Sequence, residues 1–146
     1  MKDKSEKYIN IPIILISVAL CISGIRWMIS SEPWMLDQVA NEERLKMSFI
    51  ELFLIEGNSN LSLYLTQIYR FLGLYVLGTG MIFLSFTSTK FFQIPLFRKR
   101  LLFVLGVLLF SNLILAYFWI PSSHFIYVIW IAICLYLFSC YKHFKS

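Results

Sequence analysis

Charge is scarce in this chain: 13 basic and 8 acidic residues make up 14% of its 146, while 59% are hydrophobic. Soluble domains carry roughly 25% charged and about 45 to 50% apolar residues, so an ordinary water-facing surface is excluded. No acidic residue interrupts any of the long apolar runs. That argues against a proton-coupled or cation pathway, which usually keeps a carboxylate inside the membrane despite its cost. Histidine is limited to His124 and His143, which fall at opposite membrane faces in the topology below and cannot share a metal. His124, beside Ser122 and Ser123 at a helix start, reads as a boundary residue. The three cysteines give no redox framework: Cys21 and Cys134 lie inside spans and Cys140 at an inner end, where a stable disulfide does not form. A quinone-coupled disulfide-forming enzyme would need paired cysteines on the outer side. No glycine-rich phosphate loop is present, since "GLYVLGTG" (73–80) sits in an apolar run and follows no strand. Neither a nucleophile with its base nor a carboxylate pair is evident, so the expectation is a protein without enzymatic activity, cofactor or metal.

What is present is hydrophobic length. Uncharged runs cover Tyr8 to Ile25, Phe71 to Thr89 and Leu101 to Tyr141, of 18, 19 and 41 residues. A hydrocarbon core of about 30 Å takes roughly 20 helical residues, so the third run holds two spans. Its break is "WIPSSHF", where Pro121 stops one helix and Ser122 or Ser123 can cap the next. The expected fold is all-α: a single integral membrane four-helix bundle. Its spans are 9–29, 63–86, 101–120 and 124–141, and a helical extracytoplasmic segment, 30–62, joins the first two. The apolar start resembles a signal peptide, but Arg26, Trp27 and Met28 follow where small residues would mark cleavage, so an uncleaved first helix is expected.

The net charge of +5 is explained by orientation rather than by nucleic acid. Lys2, Lys4, Lys7, Lys90, Arg98, Lys99, Arg100, Lys142 and Lys145 share one side, and on the other, outside the helix ends, lie Arg44 and Lys46. Nine against two puts both termini in the cytoplasm, which implies an inner (plasma) membrane protein. Lys90, Arg98, Lys99 and Arg100 are then expected to meet anionic lipids, each charge contributing about 1 kcal/mol near the surface. Trp27, Trp34, Tyr64 and Trp119 fall at the outer boundary, Tyr136 and Tyr141 toward the inner one.

The segment between spans one and two opens on "SSEPW", with a serine able to cap and Pro33 in a first turn, and closes on "EGNSN", with a stop at Gly57. One or two helices over Pro33 to Glu56 follow. Leu36, Val39, Ala40, Met47, Ile50 and Leu54 form an apolar stripe, and Glu42 and Lys46 an i, i+4 pair. This acidic helix is expected to dock on the outer ends of the bundle, as a lid or as a gate or partner surface.

Arg70 invites attention because it stands in the apolar stretch "LTQIYRFLGLYVLGTG". Nineteen uncharged residues separate it from Lys90, about 28 Å of helix, so it sits at the outer boundary. At about 100° per residue it lies close to Gly73 and Leu77, toward the first helix, whereas Arg26 points away from Ser17. A charge-assisted clamp from Arg70 to Glu51 or Glu56 is expected, with Gln67 one turn before it; an anion or lipid head-group site is the alternative. Ser17, Cys21 and Gly24 share the i, i+4, i+7 spacing of Gly73, Leu77 and Gly80, and small residues let helices approach closely in lipid. Helices one and two should therefore pack antiparallel. Asn112 is the best mid-membrane polar group, and its amide would seek Ser17 or Thr79 on another helix, or a ligand.

The layout, with "YRFLGLYVLGTG" opening the second span after a long outer segment, resembles small bacterial four-helix membrane proteins of the DoxX-like kind. That resemblance implies an accessory or assembly subunit and carries over no functional residue. Two further readings stand beside it: a lipid or small-amphiphile binder with its anionic group at Arg70, and a small transporter that gains a pathway as a homo-oligomer.

Overall fold

The computed structural model describes residues 2–87 and 90–145, with side chains from residue 7 onward, so the side chains of Lys2 and Lys4 lie outside the described residues. Within that range it contains α-helices and short 3-10 turns and no strand. The helices are α1 (Lys2–Ile29), α2 (Gln38–Leu45), α3 (Phe49–Leu54), α4 (Leu61–Thr87), α5 (Pro95–Trp119) and α6 (Phe125–Lys145). Four of them, Lys7–Ile29, Leu61–Thr87, Pro95–Trp119 and Phe125–Lys145, are long and apolar enough to cross a membrane. Their surfaces agree with that: Ile22, Ile29, Phe103, Phe118 and Tyr127 all stand exposed. In water such an all-round apolar surface would drive aggregation.

Local chemistry sets the helix ends. Pro95 starts α5, in the first turn where its missing N–H costs nothing, and brings Arg98, Lys99 and Arg100 into the helix rather than before it. Pro121 stops α5 just beyond Trp119, and the Ser123 hydroxyl accepts from Phe125 N at 3.2 Å to open α6.

α1 packs against α4 and α6, and α5 against α6, while no comparable packing joins α4 to α5. Ile9, Ile13 and Ile16 of α1, Phe83 of α4, Leu102, Leu105 and Leu109 of α5, and Ile126 and Ile133 of α6 form the core. The closest approach is between α1 and α4. A Cβ on Gly24 would stand 2.5 Å from Leu77 N and 2.6 Å from Gly73 O, and one on Gly80 would meet Ser17 O at 2.8 Å. Backbone lies against backbone there, so only glycine fits. At the opposite end Ser139 Oγ donates to Ile9 O at 2.7 Å, and Lys142 Nζ lies 5.5 Å over the Tyr8 ring. The start of α1 around Tyr8 and Ile9 and the later turns of α6 around Ser139 and Lys142 thus lie together at one end of the bundle, the terminal side.

On the other side residues 30–60 form a cap of one 3-10 turn and two short helices, where the sequence predicts one or two helices. A 3-10 turn, Pro33–Asp37, leads into α2, which ends where Lys46 adopts φ 57°. α3 restarts at Ser48, whose hydroxyl and Glu51 form a capping box, and Gly57 turns the chain at φ 93°. Glu32, not a serine, precedes the first turn and makes no side-chain cap. The break resets the helical phase. Pro33, Trp34, Ala40 and Phe49 are the buried members, with Phe53 ring-packed on Trp34 at 5.5 Å, while Val39, Met47, Ile50 and Leu54 of the expected stripe stand outside. It also removes the expected Glu42–Lys46 pair: Glu42 Oε1 instead accepts from Gln38 Nε2 and from Phe49 N, each at 3.0 Å.

Candidate functional site

The cap is fastened to the short α5–α6 connection. Asp37 Oδ1 meets His124 Nδ1 at 3.1 Å, the Glu43 carboxylate accepts from the Ser122 hydroxyl, and the Arg44 guanidinium lies 4.9 Å over the Trp119 ring. Asn41 Nδ2 adds bonds to Trp34 O at 3.0 Å and to the Tyr69 hydroxyl at 3.2 Å. A polar clamp of the kind expected at Arg70 is thus made by other residues. Arg70 and Gln67 are exposed, and among the described residues no ion pair joins Arg70 to Glu51 or Glu56. Glu51 is occupied by its own helix: Ser48 N donates to it at 2.8 Å and Ser48 Oγ at 2.9 Å, which holds its carboxyl below the usual value.

The three polar residues expected to bridge helices each turn back on their own. Ser17 Oγ donates to Ile13 O at 2.7 Å, Thr79 Oγ1 to Tyr75 O at 2.8 Å and Asn112 Nδ2 to Leu108 O at 2.8 Å. In an apolar setting the carbonyl one turn back is the nearest acceptor, and it satisfies the group without a partner helix. Ser17 is buried in the α1–α4 seam. Thr79 and Asn112, however, are brought to one place: both line a crevice of about 360 Å³ shared by all four long helices.

That crevice runs along α1 from Leu15 to Trp27, about 18 Å at the helical rise. Ala19, Leu20 and Ser23 face it from α1, Tyr75 from α4, Leu105 and Leu108 from α5, and Val128, Ala132 and Leu135 from α6. The Trp27 and Phe125 rings, 5.5 Å apart and edge to face, close its capped end, and the Ser139–Ile9 bond lies beyond its other end. Leu15, Tyr75, Val128 and Ile131 are exposed, so the crevice opens on the outer, apolar surface. Arg70 does not reach it: Tyr75, Val76 and Thr79 lie roughly 120 to 180° around α4 from Arg70. Aliphatic lining has the same sequence signature as core, so only the packing of the helices sets where the crevice lies.

The terminal side also departs from expectation. Lys90, Lys99 and Arg100 are exposed, but Arg98 is 5% exposed, its Nε donating to His143 Nδ1 at 2.9 Å and its guanidinium 5.8 Å over the Phe92 ring. Arg98 ties the 90–93 turn, α5 and α6 together. Among the described residues, no group of three His, Cys, Asp or Glu side chains could hold a metal ion.

These features define an all-helical protein with four helices long and apolar enough to cross a membrane, a fastened cap and an interhelical crevice. No family model matches the chain, and neither a curated protein nor a solved structure matches it.

Proposed function

We propose that this is a multi-pass protein of the inner (plasma) membrane, with both termini cytoplasmic, which acts without catalysis by receiving the hydrocarbon chain of a lipid or small amphiphile between its helices. The crevice carries this reading. The lining is almost wholly apolar and open to its surroundings at Leu15, Tyr75, Val128 and Ile131, and left unfilled it would forgo the dispersion contacts of those side chains. An occupant of hydrocarbon recovers those contacts. The volume falls in the roughly 300 to 1,000 Å³ range of small-molecule sites, and four helices contribute to it where three would suffice for a solid bundle. The test is native mass spectrometry of the protein extracted in mild detergent. A stoichiometric amphiphile that is retained by the wild type and lost in Ala132→Phe supports the reading. A protein that carries none, and takes up none when offered, sinks it.

A second reading, the accessory or assembly subunit that the DoxX-like layout implies, is favoured by a different observation. The cap exposes Val39, Ile50 and Leu54 at 72, 75 and 80%, more apolar surface than a solvated lid of this size needs. A photo-crosslinker at Ile50 that captures one defined membrane protein, and loses it in Leu54→Lys, would support this role. Crosslinks to lipid alone would oppose it.

A further inference from the structure

We propose that the occupant is a single-chain amphiphile with one anionic head group, its chain lying along Leu15, Ala19 and Ser23 and its head on Arg26. This rests on the crevice reading above and adds the ligand class and the residue that recognises it. At about 100° per residue Arg26 stands within roughly 20° of Leu15 and Ala19 and roughly 60° of Ser23. All three line the crevice, so Arg26 occupies their face of α1, one turn beyond Ser23 toward the capped side. It is exposed, and among the described residues it makes no ion pair. Of the six carboxylates of the cap four have partners of their own, and among the described residues no ion pair joins Glu32 or Glu56 to Arg26. Asp37 serves His124, Glu43 serves Ser122, Glu42 serves Gln38 and Phe49, and Glu51 serves Ser48. Arg70, the other boundary arginine, lies on the far face of α4.

Length and closure choose the occupant. The crevice runs about 18 Å from Leu15 to Trp27, near the roughly 15 Å of one hydrocarbon leaflet and well short of the 30 Å that a spanning helix needs. The Trp27–Phe125 contact at one end and the Ser139–Ile9 bond beyond the other leave no through path for a helix. A chain can enter sideways past the exposed Leu15, Val128 and Ile131. A volume near the low end for ligand sites suits one chain rather than two. At the rim, a guanidinium binds a carboxylate or phosphate through paired charge-assisted hydrogen bonds. Arg26 gives the crevice polarity: head toward the capped side, tail toward Leu15.

The test offers the detergent-purified protein dodecanoate, dodecyl phosphate and dodecanol, and counts bound ligand by native mass spectrometry at pH 7.5. Expected are one bound acid per protein and weaker binding of dodecanol. Arg26→Gln should weaken both acids about tenfold or more and leave dodecanol unchanged, and Arg70→Gln should change none. The tighter of the two acids identifies the head chemistry. Ala19→Trp and Ala132→Phe, each checked for helicity by circular dichroism, should abolish binding of all three. If Arg26→Gln leaves acid binding intact while the filled variants abolish it, the head-group assignment is overturned and the crevice reading stands. If the filled variants bind as wild type does, the crevice reading itself falls, and with it this proposal.

Discussion

Gly78 and Gly80 stand two residues apart on α4, and replacing each by alanine should move stability in opposite directions. A Cβ at Gly78 meets nothing within 4 Å, whereas one at Gly80 lies 2.8 Å from Ser17 O, 2.8 Å from Cys21 Sγ and 2.9 Å from Cys21 N. Two of these three are α1 backbone, so relief at Gly80 requires the helices to part by several tenths of an ångström. In a helix interior alanine gains about 0.8 to 1 kcal/mol over glycine, and Gly78→Ala should keep most of that. Overpacking costs typically 1 to 3 kcal/mol, so Gly80→Ala should end about 0 to 2 kcal/mol below wild type. The two variants then differ by roughly 1 to 3 kcal/mol. Gly24→Ala should be the worst of the three, because its Cβ would meet Leu77 N and Gly73 O at 2.5 and 2.6 Å, both backbone. Unfolding in mixed micelles at rising SDS fraction, followed by circular dichroism, ranks them. A Gly80→Ala protein as stable as Gly78→Ala would refute the backbone contact between α1 and α4.

Three further outcomes are expected. Asp37→Asn alters the Asp37–His124 contact and should speed amide exchange across residues 33–45 while leaving α4 and α5 unchanged; unchanged exchange in the cap would show that the contact does not fasten it. Ser48→Ala removes the capping box and should raise exchange in α3 about fivefold. The same box depends on pH with a defined sign. Because hydrogen bonds from Ser48 lower the Glu51 pKa, its contribution is fully present above the ordinary glutamate value and is lost as pH falls through the lower folded value. α3 exchange, corrected for intrinsic rate, should therefore be flat from pH 7 to about 5 and rise only below about 4. Arg70→Gln should shift stability by less than about 0.5 kcal/mol, as for exposed residues away from special features, and a larger loss would reveal a partner for Arg70.

The element pattern was largely readable because the physics is one-dimensional. A helix that is long and apolar enough to cross a bilayer announces itself by length alone, and Pro121 with Ser123 marks a boundary whichever way the helices pack. The small residues at 17, 21 and 24 and at 73 and 80 were likewise readable as surfaces able to come close, and in the structure those backbones touch. The clamp was misplaced for a reason that is also physical. Spacing says that Arg70 and Glu51 share a side of the membrane, but the left-handed turn at Lys46 and the capping box at Ser48 spend Glu51 locally. The same turn resets the phase between α2 and α3, so a stripe drawn on one continuous helix cannot predict which of its residues are buried. Arg98 is the complementary case: spacing places it among the basic residues of the terminal side, and only its packing against Phe92 and His143 buries it.

By itself the sequence determined an all-helical chain with four hydrophobic helices, a polar segment between the first two and a strong asymmetry of basic charge, because these follow from composition, period and length. Only the tertiary structure decided which carboxylates fasten the cap, which polar side chains satisfy themselves, and that four apolar faces enclose a crevice. Those depend on where side chains from distant positions meet, and an aliphatic residue that fills a core looks the same in sequence as one that lines a void.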